Sequence, residues 1–156
     1  MEQKLTVVDA FSGDYDFLSN FYPVNIFTEG FTFKSVEHAY QASKSNSHAD
    51  WKLIESLGAD QAGKAKRLGR KFKLRRNWDL VKISLMRRFL EMKFLDPELR
   101  EKLLATGDAE LIEGNYWHDN YWGDCRCDKC KHIPGFNNLG KLLMRLRSNY
   151  ANSDHR

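Results

Sequence analysis

Between Asn77 and Leu95 apolar residues recur at every third or fourth position: Trp78, Val81, Leu85, Phe89 and Met92 form one stripe, and Ile83, Met86, Leu90 and Phe94 a second. That period belongs to an α-helix, and a helix apolar on two sides is an element to be buried. Asn77 stands where an N-cap belongs. The same spacing predicts further helices. Ser35 caps one whose inward stripe is Val36, Ala39, Tyr40 and Ser43; shorter ones cover Asp50 to Leu57 and Asp60 to Leu68; Pro97 opens one through Leu104; and Asn138 to Tyr150 closes the chain. Strand signals are short. VNIFT and FTFK alternate in hydropathy around Glu29-Gly30, a hairpin with a two-residue turn, although glutamate is not the residue such turns favour. A further strand is expected over Glu110 to Glu113. Strands early and helices late, without strand–helix–strand alternation, indicate an α+β domain.

Length and composition narrow the class. A chain of 156 residues is expected to form one domain over residues 1–150, with a polar tail, 151–156, that frays. With 13% aromatic residues and only three prolines, it is neither a disordered tail nor a fibrous repeat. No apolar run approaches the roughly 18 residues of a membrane span. The opening MEQKLTVVDAF lacks the apolar stretch and cleavage site of a signal peptide, so a cytoplasmic protein without a membrane partner is expected.

The net charge of +4 is unevenly placed. Lys64, Lys66, Arg67, Arg70, Lys71, Lys73, Arg75 and Arg76 put eight positive charges in thirteen residues, leaving the rest of the chain at −4. So local a patch suits phosphate groups on a substrate better than long nucleic acid, and a solvated helix face is the alternative.

Two segments carry more functionality than folding requires. The first is FLSNF (Phe17 to Phe21) continued by FKSVEHAYQASK (Phe33 to Lys44). On the helix capped by Ser35, Glu37, Gln41 and Lys44 share one face while Val36, Ala39 and Tyr40 turn towards another. A carboxylate in the first turn is favoured in its ionised form by the helix dipole. It could hold a water or oppose a developing cation, or serve simply as a first-turn acid with an i,i+4 neighbour. The second segment is EGNYWHDNYWGDC, where Tyr116, Trp117, His118 and Tyr121 crowd around Asp119 and Asn120, and Trp122 follows. Aromatic faces with interspersed acids suit a planar base attached to a sugar; an aromatic surface loop packed on the core is the alternative.

CRCDKCKH supplies Cys125, Cys127, Cys130 and His132, four potential ligands for a tetrahedral zinc. They fall within eight residues, whereas structural zinc sites join separated pairs. Either one loop wraps the ion or a ligand such as His118 comes from elsewhere. Three reduced thiols in a turn are the alternative, since an odd count argues against closed disulfides. His38 reads as a hydrogen-bonded core residue. No P-loop, GxGxxG or nucleophile-elbow serine is present, so ATP, dinucleotide and serine-hydrolase readings lack support.

In order along the chain, FLSNF, the hairpin, FKSVEHAYQASK, Gly69-Arg70, Arg76-Asn77-Trp78, Asp119-Asn120-Tyr121-Trp122-Gly123 and Asn137-Asn138-Leu139-Gly140-Lys141-Leu142-Leu143-Met144 resemble the YbiA-like, or NADAR, domain family. The resemblance spans Phe17 to Arg147. It implies a mainly helical α+β domain with a small N-terminal hairpin. It also implies N-glycosidase activity on ribosylated substrates: hydrolysis of phosphoribosylamino-pyrimidine intermediates of riboflavin biosynthesis to ribose 5-phosphate or, in another branch, removal of ADP-ribose from guanine in nucleic acid. A non-catalytic binder of ADP-ribose or NAD is the remaining alternative. The cysteine cluster resembles one branch only, so no cofactor is expected for catalysis and any zinc would be structural.

Carried onto this chain, the resemblance puts Glu37 at the sugar as base or electrostatic stabiliser. Asp119 becomes the acid aiding departure of the base or a group fixing a ribose hydroxyl. Lys44 becomes a phosphate ligand or an imine-forming amine. Trp78 and Trp122 stack on the base or wall the pocket, Arg70 and Arg76 grip phosphate, and Asn20 and Asn138 supply polar contacts at the rim.

Overall fold

In chain order the elements are β1 (Val7–Val8), a 3-10 helix (Gly13–Leu18), β2 (Ile26–Thr28), β3 (Phe31–Phe33), α1 (Val36–Ser43), α2 (His48–Glu55), α3 (Ala62–Gly69), α4 (Trp78–Lys93), α5 (Pro97–Ala105), β4 (Glu110–Leu111), β5 (Gly114–Asn115), β6 (Asp124–Cys125) and α6 (Asn138–Ser153). This computed structural model describes residues 3–153. The architecture is α+β, as the order of sequence signals implied. The chain forms two compact units, one of residues Asn20–Asp96 and one that joins the N-terminal segment up to Ser19 with the segment from Pro97 onward.

In the unit of residues 20–96, β2 and β3 pair as an antiparallel hairpin with Ile26 opposite Phe33 and Thr28 opposite Phe31. Its turn places Glu29 at φ 52° and Gly30 at φ 81°. Positive φ at both central residues matches the right-handed twist of the strands. Gly30 adopts it without strain; Glu29, having a Cβ, does so at a cost. Ile26 and Phe33 face inward and are fully buried, whereas Phe27 lies on the open face.

The eight residues of α1 are all buried, polar ones included. Its expected stripe of Val36, Ala39, Tyr40 and Ser43 is therefore only part of what it buries, because α2, α3 and α4 all pack against it. Ser35 caps α1 as its position suggests, its hydroxyl accepting the His38 N–H at 3.1 Å. By contrast Asn77 makes no side-chain cap on α4; its Oδ1 accepts from Arg75 Nε at 3.0 Å instead. The expected two-sided burial of α4 holds for Met86, Phe89, Leu90 and Phe94. It fails at Ile83, which is 43% exposed, because nothing covers that side of the helix there. Lys93 is buried, its ammonium 5.6 Å from the Tyr22 ring and 5.3 Å from the Phe94 ring.

In the second unit, β1 pairs in parallel with β4 (Val7 with Glu110, Val8 with Leu111) and β5 with β6 (Gly114 with Asp124, Asn115 with Cys125). The strand expected over Glu110 to Glu113 thus ends at Leu111, and the chain pairs again further on. Asn137, at φ 51°, ties the start of α6 to this region: its Nδ2 donates to Leu111 O at 2.9 Å and its Oδ1 accepts from Glu113 N at 3.0 Å. α6 packs on α5 and β4, and its buried Arg147 donates to Thr106 Oγ1 at 2.8 Å. The helix continues through Ser153; residues 154–156 of the expected frayed tail lie outside the described residues. Among the described residues no helix is long and apolar enough to cross a membrane.

Candidate functional site

Helical spacing predicts Glu37, Gln41 and Lys44 on one face of α1, and the structure links them. Glu37 is 7% exposed, and its Oε1 accepts from Gln41 Nε2 at 2.8 Å. Its backbone N–H, one of the orphan donors of the first turn, is taken up by Asn20 O at 3.0 Å. Asn20 lies at the N-terminal edge of this carboxylate, held by a contact from its Nδ2 to Met86 Sδ at 3.6 Å. Two buried side-chain oxygens here have no hydrogen-bond partner, Asn20 Oδ1 and Gln41 Oε1.

Lys44, one turn beyond Gln41, closes the face. Burial pushes its ammonium below the ordinary lysine range; the Glu37 carboxylate opposes that shift, while Arg70, Lys66 and Lys82 add to it. Lys44 Nζ also lies 5.5 Å from the Tyr40 ring centroid. Tyr40 in turn meets Trp78 with ring centres 5.1 Å apart and a tilt of 53°. Trp78 is thus buried as a wall behind Tyr40. The sequence singled out Glu37 and Lys44, and placed Lys66 in the basic segment suited to phosphate, but did not single out Lys82; only the packing of α3 and α4 on α1 brings the two lysines here.

The two arginines expected to grip phosphate part company. Arg70, the C-cap of α3, belongs to the cations around Lys44. Arg76 lines a separate open cleft of about 460 Å³ with Lys73, Arg75, Ser45, Ser47 and Asp50.

Residues 113–138, in the other unit, form a loop knit by side-chain amides and carboxylates. Asn115 Oδ1 accepts from Trp117 N and Asp119 N, each at 3.2 Å, and its Nδ2 donates to Asp119 O at 2.8 Å. Asp119 Oδ1 accepts from Tyr121 N at 3.1 Å and Trp122 N at 2.8 Å. That turn fixes Tyr121 and Trp122, whose rings meet edge to face 4.9 Å apart. Asn138 opens α6 with its backbone N–H on Tyr121 O at 3.2 Å. Asp119 therefore shapes the loop, one of its oxygens already engaged.

The cysteines close on His118, the alternative ligand expected from outside the cysteine segment, and not on His132. His118, Cys125, Cys127 and Cys130 place their donor atoms within 4.8 Å of one another. Zinc–sulfur bonds of about 2.3 Å in a tetrahedron imply edges of about 3.8 Å, so the set is of a size to hold a metal ion. His132 is not part of it; it is exposed and lines a cleft with Arg126, Lys131 and the cluster's Cys125. The turn that returns Lys131 N and Cys130 N to Cys127 O clusters the thiols and carries His132 past them. His118, at φ 69°, reaches in from the preceding loop, its Nδ1 3.3 Å from Cys127 Sγ and 3.5 Å from Cys130 Sγ. Crowding splits the thiols. Burial and then the sulfurs of Cys125 and Cys127 push Cys130 up to about 11. Cys127 is desolvated too, yet hydrogen bonds from Cys125 and from the Cys130 and Lys129 region hold it below the ordinary thiol range.

The NADAR domain matches residues 9–150 and so runs through both units. An N-glycosidase from Nostoc punctiforme is 40% identical over 142 residues, covering 88% of this chain and 87% of that protein. N-glycosidase YbiA of Escherichia coli K12 is 38% identical over 141 residues, 90% of this chain and 84% of its own. A riboflavin biosynthesis protein of Vibrio vulnificus is 38% identical over 138 residues, but this chain spans only 35% of it. The NMR structure of E. coli YbiA superposes with a TM-score of 0.82 at 36% sequence identity, over 99% of this chain and 90% of that one. With a family match over most of its length and relatives at this level of identity, the chain belongs to the NADAR domain family.

Proposed function

We propose that this protein is an N-glycosidase that hydrolyses the C1′–N bond of phosphoribosylamino-pyrimidines, releasing ribose 5-phosphate. The observation that carries the reading is the pairing on α1 of a buried, hydrogen-bonded carboxylate with a lysine held below its ordinary range and ringed by cations. The N-glycosidase names of relatives that align over most of their own length support it.

Breaking a C1′–N bond needs negative charge opposite a cation-like sugar, a proton for the departing nitrogen and a water at C1′. Glu37 supplies the charge, accepts a proton from the attacking water and, as the carboxylic acid so formed, passes it to the departing nitrogen. Arg70, Lys66 and Lys82 take the phosphate, which leaves Lys44 free of that task. With its ammonium disfavoured, Lys44 is the amine suited, if the sugar ring opens, to add at C1′ as the base leaves as its free amine, water then hydrolysing the imine to release ribose 5-phosphate and restore Lys44. Tyr40 and Trp78 wall the carboxylate's side. In the other unit, Asp119 fixes the loop bearing Trp122.

The metal in this reading is zinc at His118, Cys125, Cys127 and Cys130. Three thiol sulfurs and an imidazole nitrogen are a borderline-soft set, and four protein ligands leave no open position for a substrate, so the ion is structural.

The test is a product assay with the parent and Glu37→Gln, run in parallel on a phosphoribosylamino-pyrimidine and on DNA carrying ADP-ribosylated guanine. Ribose phosphate is expected from the first substrate, with kcat lowered by about 10²–10⁴ in Glu37→Gln. Turnover of the DNA alone would replace the proposed substrate, and an unimpaired Glu37→Gln would remove Glu37 from the chemistry.

A further inference from the structure

Gly69 ends α3 directly beside the α1 amide that holds Glu37. Gln41 is 3% exposed, and its Nε2 donates to Glu37 Oε1 at 2.8 Å. A carboxylate only accepts when ionised, so the amide must present its nitrogen to it and turn its oxygen away. That oxygen lands against Gly69. A Cβ at position 69 would stand 1.9 Å from Gln41 Oε1 and 2.8 Å from its Cδ, closer than any two such atoms can come. The bare backbone of Gly69 is thus what admits the amide. The same contact leaves Oε1 buried and without a donor. Buried polar groups are nearly always satisfied, and one that is not calls for an explanation in terms of what the arrangement achieves.

What it achieves is orientation. On an open helix face, an i,i+4 glutamate–glutamine pair samples several rotamers and contributes little. Here the amide cannot swing away, because α3 stands behind it, and it cannot flip, because an ionised Glu37 needs its nitrogen.

We propose that Gly69 and Gln41 act as one positioning device for Glu37, α3 locking the amide and the amide aiming the carboxylate and keeping it ionised. Its catalytic consequence rests on the N-glycosidase reading; the device itself does not. Neither residue is placed against substrate.

The experiment is a cycle of four proteins: parent, Gln41→Ala, Gly69→Ala and the double variant. The Glu37 carboxyl is titrated by 13C NMR, with Glu37→Gln identifying its signal. Lys44 on α1, Lys66 and Arg70 on α3 and Lys82 on α4, the charged groups around this face, stay unchanged throughout. Loss of a hydrogen bond to a charged acceptor should raise the midpoint by about one pH unit in Gln41→Ala and by a similar amount in Gly69→Ala. Because both act through one amide, the double variant should match Gln41→Ala. On the phosphoribosyl substrate the single variants should lose about tenfold or more in kcat with KM within about twofold.

An unmoved midpoint in Gln41→Ala, or additive effects in the double variant, overturns the proposal. If Gly69→Ala does not fold, the second variant is Gln41→Gly/Gly69→Ala, which removes every Gln41 side-chain atom facing position 69; its recovery of folding supports the proposal, and its failure while Gln41→Gly folds counts against it. A parent without turnover would sink the N-glycosidase reading and leave the titration to decide the device.

Discussion

Ser35 Oγ lies 2.6 Å from His38 Nδ1 and accepts the His38 backbone N–H at 3.1 Å, so one hydroxyl both caps α1 and fixes the tautomer of a buried histidine. His38 Nε2 is 3.0 Å from Gly58 O, which can only accept. The ring therefore carries its hydrogen on Nε2 and takes the serine hydrogen at Nδ1. Through these bonds the start of α1 is tied to the loop after α2.

That neutral ring sets a pH dependence. Burial holds His38 below the ordinary histidine range, with nearby Lys34 adding to the shift and the Gly58 carbonyl opposing it. A folded value below the unfolded one means that the unfolded chain binds the proton more readily. The His38 contribution is therefore complete above the ordinary value of about 6.5 and is lost as pH falls through and below it. Thermal melts from pH 7.5 to 5 should show Tm declining across that window. A His38→Gln protein, which keeps a donor towards Gly58, should show a shallower decline, and parallel curves would exclude the ring as the cause.

Lys44 is the opposite case, a lysine whose burial carries a cost in stability that the proposed chemistry would explain. Its charged form is disfavoured in the folded state, chiefly by burial, so its penalty applies wherever the unfolded lysine is protonated and fades as pH approaches about 10.4. Lys44→Met should abolish turnover while raising Tm at pH 7, with the gain shrinking towards pH 10. A variant both inactive and less stable at pH 7 would show that the ammonium is a structural group.

The metal cluster predicts a difference between two histidines. His118→Ala and Cys127→Ser each remove one of four ligands and should weaken zinc binding by at least about 100-fold, with Tm falling to that of chelator-treated parent. His132→Ala should retain one zinc per chain. Elemental analysis beside melting curves distinguishes them, and a native protein free of metal would refute the site.

The two arginines predict a difference in KM. Arg70→Glu should raise KM for a phosphorylated substrate by about tenfold or more, since it removes one of the cations around Lys44. Arg76→Glu, in its own cleft, should change KM by less than about twofold. Equal effects in steady-state kinetics would mean that both arginines meet the phosphate.

How much of this was legible follows from the range of the interactions. The hairpin turn at Glu29-Gly30, the Ser35 cap and the shared face of Glu37, Gln41 and Lys44 rest on residues two to four apart, and the rules relating such neighbours act before any tertiary contact forms. The family, too, could be seen in motifs that are each local. Other features required the chain to return on itself. Val7 pairs with Glu110; Lys66 and Lys82 join Lys44 because α3 and α4 both pack on α1; and a side chain at Gly69 would meet the Gln41 amide, 28 residues earlier in the chain. His118, the alternative to His132, joins the thiol cluster because a left-handed residue brings its ring to the sulfurs while a tight cysteine turn carries His132 past them. The sequence by itself determined which elements form and which side chains stand together along each of them. Tertiary structure alone decided which of those side chains meet, because burial and close packing act on distance in space and are indifferent to separation along the chain.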